Sequence, residues 1–208
     1  MNSTSSLRQV SRDAVRDRIA EVALGLFAEH GFERTTVEEI ARAVGTSERT
    51  FFRYFATKDE VVLLPYEHAY AQMLTLLAER PLEEDVWETL TVVCAHSIRA
   101  LLMGPYETGR VQRLQRIIGD SPVLLAAYLR QFDRLQERLT DALVQRQERR
   151  APGREADRVV ARALVGASFA HLHAVVSAAR SAEDVARADE RFAALMQDLR
   201  PRSLPAGS

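Results

Sequence analysis

The chain has 208 residues, 47 % hydrophobic and 27 % charged, with a formal net charge of −1. That length buries a core without covalent staples, and the near-zero charge excludes a protein that coats nucleic acid by bulk attraction. The single cysteine, Cys94, excludes internal disulfides and cysteine-based zinc sites, and no uninterrupted apolar run has the roughly 18 residues of a membrane span. Helical periodicity then runs through nearly every segment between breakers. Residues 12–30 carry Val15, Ile19, Val22, Leu26 and Phe27 on one stripe and stop at Gly31. Thr36-Val37-Glu38-Glu39 has the spacing of a capping box, with Ile40, Ala41 and Val44 behind it and Gly45 as the stop. Ser47 caps a short segment, 48–55. Thr57-Lys58-Asp59-Glu60 is a second candidate capping box, and it opens a helix to residue 79 that contains Pro65. Further helices are predicted over 83–103, 106–118, 121–149, 154–179 and 182–199, with Ser121-Pro122 and Ser181 as start signals. No period-2 strand and no fixed-period repeat interrupts this pattern. The predicted fold class is all-α, with about nine helices.

The chemistry concentrates in residues 35–60. A helix of about eight residues, the tight break Val44-Gly45-Thr46 and a second short helix make a helix-turn-helix arrangement. In the second helix Phe51 and Phe55 share one face and suit packing. Thr50, Arg53 and Tyr54 project outward with Arg49 beside them. Arginine can bridge guanine O6 and N7, and a threonine methyl can meet the thymine methyl, so this face suits the major groove. Lys58 opens the following helix, where its ammonium and the free backbone N–H groups suit a phosphate.

These residues resemble a known family. Phe32-Glu33-Arg34-Thr35-Thr36-Val37-Glu38-Glu39-Ile40-Ala41, Val44-Gly45-Thr46-Ser47, Thr50-Phe51-Phe52-Arg53-Tyr54-Phe55 and Lys58-Asp59-Glu60 are similar, in order and spacing, to the DNA-binding domain of TetR-family transcriptional regulators (TetR/AcrR type). The resemblance implies a helix-turn-helix domain over 1–56 with a flexible N-terminal arm, a helical effector-binding and dimerisation domain over 57–200, and a disordered tail over 201–208. It implies DNA contacts by Thr36, Ser47, Arg49, Thr50, Arg53, Tyr54 and Lys58. Phe52 departs from the family pattern, which has a tyrosine there whose hydroxyl reaches the DNA backbone.

The remaining chain carries no motif of that specificity. Tyr66, Tyr70, Trp87, Cys94, Tyr128 and Phe132 are candidates to line an apolar effector pocket. Arg110, Arg113 and Arg116 share roughly one face of the sixth helix. His171 and His173, two residues apart, do not form a metal pair, and no catalytic constellation, metal site or cofactor is expected. The eighth helix is rich in small residues that permit close helix approach. The resemblance implies a cytoplasmic ligand-responsive regulator, most often a repressor, that binds palindromic operator DNA as a homodimer through residues 154–199. It extends more loosely to actinobacterial members that respond to acyl-CoA-like molecules, so the implied effector is apolar or acyl-CoA-like. No membrane partner is expected.

Overall fold

The computed structural model describes residues 3–102 and 110–201, and the only regular structure among them is helical. The elements are α1 (Ser3–His30), α2 (Val37–Val44), α3 (Glu48–Tyr54), α4 (Lys58–Glu79), α5 (Val86–Leu102), α6 (Arg110–Gly119), α7 (Pro122–Arg150), α8 (Arg158–Ala178), α9 (Ala182–Ala186) and α10 (Ala188–Asp198). The nine expected helices are thus present, the last of them divided at Arg187, which sits at φ −95° and ψ 0°. Helix α1 is described from Ser3 onward, and no glycine or proline stands between Ser3 and Arg12 to interrupt it. Two other starts are set by aspartates. Asp85 accepts from the N–H of Trp87 at the head of α5, and Asp157 accepts from Val159 and Val160 at the head of α8. The Gly104-Pro105 break and the tail over 202–208 lie outside the described residues.

Packing divides the chain into two compact units, and the division does not follow chain order. The first holds Met1–Pro65 and Arg113–Tyr128; the second holds Tyr66–Gln112 and Leu129–Ser208. Most of α6 and the start of α7 therefore belong with the N-terminal helices, which no local pattern announces. The first unit buries Ile19, Ala23, Phe27, Ile40, Phe51, Phe55, Leu64, Leu114 and Leu124. Phe27 and Phe32 meet edge-on at 5.0 Å, and the Arg16 guanidinium lies 5.1 Å over the Phe55 ring.

In the second unit α5, α8 and α10 pack on one another. Trp87 joins all three: its Nε1–H donates to the Met196 carbonyl at 2.6 Å and its ring meets His171 edge-on at 6.0 Å. Arg146, almost fully buried, donates to the carbonyls of Arg80 (2.9 Å) and Pro81, the two residues that follow α4. Arg158 and Arg162 on α8 pair with Asp133, Glu137 and Asp141 on α7. By length and composition, α8 is the one described helix apolar enough to cross a membrane, and only 39 % of its most apolar stretch is buried. Ser168, His171 and His173 break its apolar run but do not offset its average.

The indole hydrogen bond is enclosed, so its loss leaves the Met196 carbonyl without a partner. Trp87→Phe is expected to destabilise the chain by about 2–4 kcal/mol, combining that orphaned carbonyl with lost packing. Urea denaturation measures this, and an unmoved midpoint would remove Trp87 from the joint of the three helices.

Candidate nucleic-acid interface

The helix-turn-helix is built from caps at each end. The Thr36 hydroxyl accepts from the Glu39 N–H at 3.2 Å while the Glu39 carboxylate accepts from the Thr36 N–H at 2.8 Å, so the expected capping box is formed. The Thr36 N–H, followed by its hydroxyl, holds the Glu39 carboxyl below the ordinary glutamate range. At the far end of α2, Gly45 adopts φ 78° and the Thr46 N–H reaches back to the Ala41 carbonyl at 2.8 Å. That left-handed position is where only glycine avoids a Cβ penalty, and it turns the chain sharply into α3. Ser47 then caps α3, accepting from the Thr50 N–H at 3.2 Å, and its hydroxyl lies 3.1 Å from that of Thr50. The second candidate box differs from expectation: the Glu60 carboxylate accepts from the N–H of Ala56 at 2.8 Å.

Phe51 is fully buried and anchors one face of α3. The rest of the helix is presented outward, with Arg49, Phe52 and Arg53 exposed and Thr50 and Tyr54 half-buried. Arg53 lies over the Tyr54 ring at 5.0 Å and donates to its hydroxyl at 3.4 Å, so these two side chains act as a pair. Ser47, Arg49, Thr50, Arg53 and Tyr54 therefore lie at the start of α3 or along it, while Thr36 sits at the N-terminal end of α2, and the hydroxyls of Thr36, Ser47 and Thr50 already have protein partners.

Lys58 has a role that spacing did not disclose. Its Nζ donates to the carbonyls of Phe32 (2.8 Å) and Thr35 (3.2 Å), approaches that of Glu33 at 3.4 Å, and sits 4.3 Å over the Phe32 ring. The three ammonium protons thus face three carbonyls of the α1–α2 turn. Contact with a phosphate, the role implied by the resemblance, requires one of these bonds to be released. The same turn is held by Thr35, whose hydroxyl donates to the Gly31 carbonyl at 2.9 Å, and by Ser121, which donates to the Glu33 carboxylate at 2.8 Å. Neither Glu33–Ser121 nor Phe32–Lys58 was visible as a pair in the sequence, because each joins residues far apart along the chain.

The candidate effector residues are placed differently. Trp87 is committed to Met196 and His171. Cys94 is fully buried beside Ser168, and burial pushes its thiol up to about 12, the state of an inert core residue. Tyr66 and Tyr70 are nearly buried with their rings 6.1 Å apart, and Phe132 meets Phe169 edge-on at 5.1 Å. Tyr128 falls in the first unit and the other five in the second. Arg113 and Arg116 border, with Arg34, Glu33 and Asp120, a cleft of about 240 Å³ in the first unit whose floor includes Phe27 and Phe32. The side chain of Arg110 lies outside the described residues. Among the described residues no group of three His, Cys, Asp or Glu side chains is arranged to hold a metal.

Fold and site together define a helix-turn-helix protein with an all-α second unit. Residues 19–64, which hold the helix-turn-helix, match the family of bacterial regulatory proteins, tetR family. It is 35 % identical over 149 residues to the HTH-type transcriptional regulator TcmR of Streptomyces glaucescens. That alignment covers 68 % of this chain and 64 % of TcmR, so the chain matches less than two thirds of that relative's length. A TetR-family structure from Syntrophomonas wolfei superposes with a TM-score of 0.63 at 18 % identity, covering 94 % of this chain and 99 % of that one. The SmeT–triclosan complex gives 0.60 at 20 % identity, covering 89 % of each chain. These two likenesses concern the fold. The family and the named relative are transcriptional regulators, not enzymes.

If Lys58 holds the turn, replacing it destabilises the first unit even without DNA. Lys58→Met keeps the stem over Phe32 but removes the three donors, and the expected loss is about 1–3 kcal/mol. Thermal or chemical denaturation reads this; a wild-type midpoint would mean that the carbonyls find water equally well.

Proposed function

We propose that the chain is a sequence-specific DNA-binding regulator that works as a homodimer on a near-palindromic operator and is released by a small molecule, acting as a repressor in the cytoplasm. The observation that carries this reading is the outer face of α3: one side pinned in the core by Phe51, the other presenting Arg49, Thr50, Arg53 and Tyr54. On a rigid helix these groups suit guanine and thymine edges in the major groove, with Thr36 and Ser47 proposed to lie near the backbone. Two such helices about 34–36 Å apart enter successive major grooves, which accounts for a palindrome. The alternative of an all-α enzyme has little to stand on, since Cys94 is an inert buried thiol.

The dimer is proposed through residues 154–199. Helix α8 supports it: Val159 is 78 % exposed, and Ala163, Ala170, Ala174 and Ala178 leave an exposed, nearly featureless stripe along the same helix. An apolar face of this extent in a single chain calls for a partner, and small side chains let a second helix approach closely. The effector is proposed to be apolar or acyl-CoA-like, in a pocket of the second unit with Tyr66, Tyr70 and Phe132 among its walls. The triclosan bound by SmeT, a protein of the same fold, is a small molecule of the apolar kind. Such a ligand lowers DNA affinity by its differential affinity for the two states.

Selection of bound duplexes from random DNA at near-physiological salt is expected to enrich a palindrome. Arg53→Ala should relax preference at one position of each half-site, at a cost of about 1–3 kcal/mol if the contact is a bidentate one to guanine. An unchanged selected sequence would take Arg53 out of base readout, and sequence-blind binding would overturn the regulator itself. For the dimer, Ala170→Glu places a charge on the exposed face of α8 without touching the core. Sedimentation should then show monomer at micromolar concentration where the wild type is dimeric, and a dimeric variant would move the interface elsewhere.

A further inference from the structure

Phe52 is the large apolar side chain that α3 leaves in solvent. It is 51 % exposed on a helix whose other exposed residues are charged. Its ring is not loose: it meets the buried Phe51 ring edge-on, centroids 5.5 Å apart at 88°. Residues along a helix are offset by about 100°, so Arg49 and Arg53 stand nearly opposite Phe51, with Phe52 on one flank and Tyr54 on the other. The Tyr54 flank is already taken, because the Arg53 guanidinium lies over that ring. Arg53 is thereby drawn away from Phe52, and the phenyl ring is left as an apolar patch between the two arginines and the exposed Glu48 one helical turn before it.

A phenyl ring neither donates nor accepts a conventional hydrogen bond, so it gains nothing from a phosphate or from the nitrogen and oxygen edges of a base. The major groove offers one apolar group, the 5-methyl of thymine. We propose that Phe52 is a specificity-determining residue that reads a thymine in each half-site by covering its 5-methyl group with the ring. The proposal rests on the DNA-reading role of α3 given above and names what one part of that face recognises. Ring support from Phe51 matters here: a side chain already held in place loses little freedom when it meets its target.

The test uses the full-length protein and the duplex enriched by selection, with each thymine replaced in turn by deoxyuridine, which removes the methyl and leaves the pairing edge intact. At one position per half-site, wild-type affinity is expected to fall about fourfold, the factor that covering one methyl-sized group supplies. Replacing both symmetry-related thymines should cost about fifteenfold if the half-sites are independent. At that position Phe52→Ala and Phe52→Gln, both on an exposed site, should bind thymine and uracil duplexes equally, whereas Arg53→Ala should keep the methyl sensitivity. Two results overturn the assignment: a wild type indifferent to every thymine methyl, or a Phe52→Gln variant with unchanged sensitivity. A selection that enriches no duplex is a different failure, since it removes the DNA-reading role of α3 and this assignment with it.

Discussion

The turn between α1 and α2 points the carbonyls of Phe32, Glu33 and Thr35 toward one place, and the ammonium of Lys58 fills it. Carbonyls in such a turn have no helical partner and must be satisfied by side chains or water. A lysine at the first position of α4 supplies three protons at once, and the Phe32 ring beneath it adds an attraction for the charge. Through that contact the start of α4 is tied to the turn that precedes α2. Since Gly45 turns α2 directly into α3, the direction of the outer face of α3 follows from how firmly this one turn is held.

The outer face of α3 is chemically divided. Arg53 and Tyr54 form one side, held together by stacking and a hydrogen bond, while Phe52 stands on the other with only the edge of Phe51 behind it. Cations meet phosphates and guanine; an apolar ring meets a methyl. A helix of this length can thus carry both kinds of contact without the side chains competing for space. The rigidity comes from below, where Phe51 and Phe55 are buried and Arg16 covers the Phe55 ring.

The second unit is organised by Trp87, a large side chain whose one donor finds the Met196 carbonyl. With the helices α5, α8 and α10 joined there, the opposite side of α8 is left apolar and uncovered. Val159, Ala163, Ala170, Ala174 and Ala178 make that exposed stripe. The ion pairs that Arg158 and Arg162 make with α7 hold α8 from one side and leave that stripe clear.

Periodicity and caps made the helices legible. Thr36 with Glu39, Gly45, Ser47 and Ser121 act locally, so their effects could be read from a few neighbouring residues, and the outward placement of Arg49 and Arg53 followed once Phe51 was assigned to the core. Asp85 and Asp157 start their helices at points the helical pattern runs past, and Arg187 divides the last helix without any glycine or proline to signal it. Lys58 illustrates the harder limit: its charge and position suggested an anion, but its partners are carbonyls more than twenty residues away in the chain. The sequence by itself determined the all-α class, the helix-turn-helix and the chemistry of its outward face, since those depend on spacing within a turn or two of helix. Only tertiary structure decided that α6 and the head of α7 pack with the N-terminal helices, that Trp87 and Cys94 are core residues, and that Lys58 holds a turn. Each of these depends on which distant surfaces meet, and that is set by packing and burial across the whole unit.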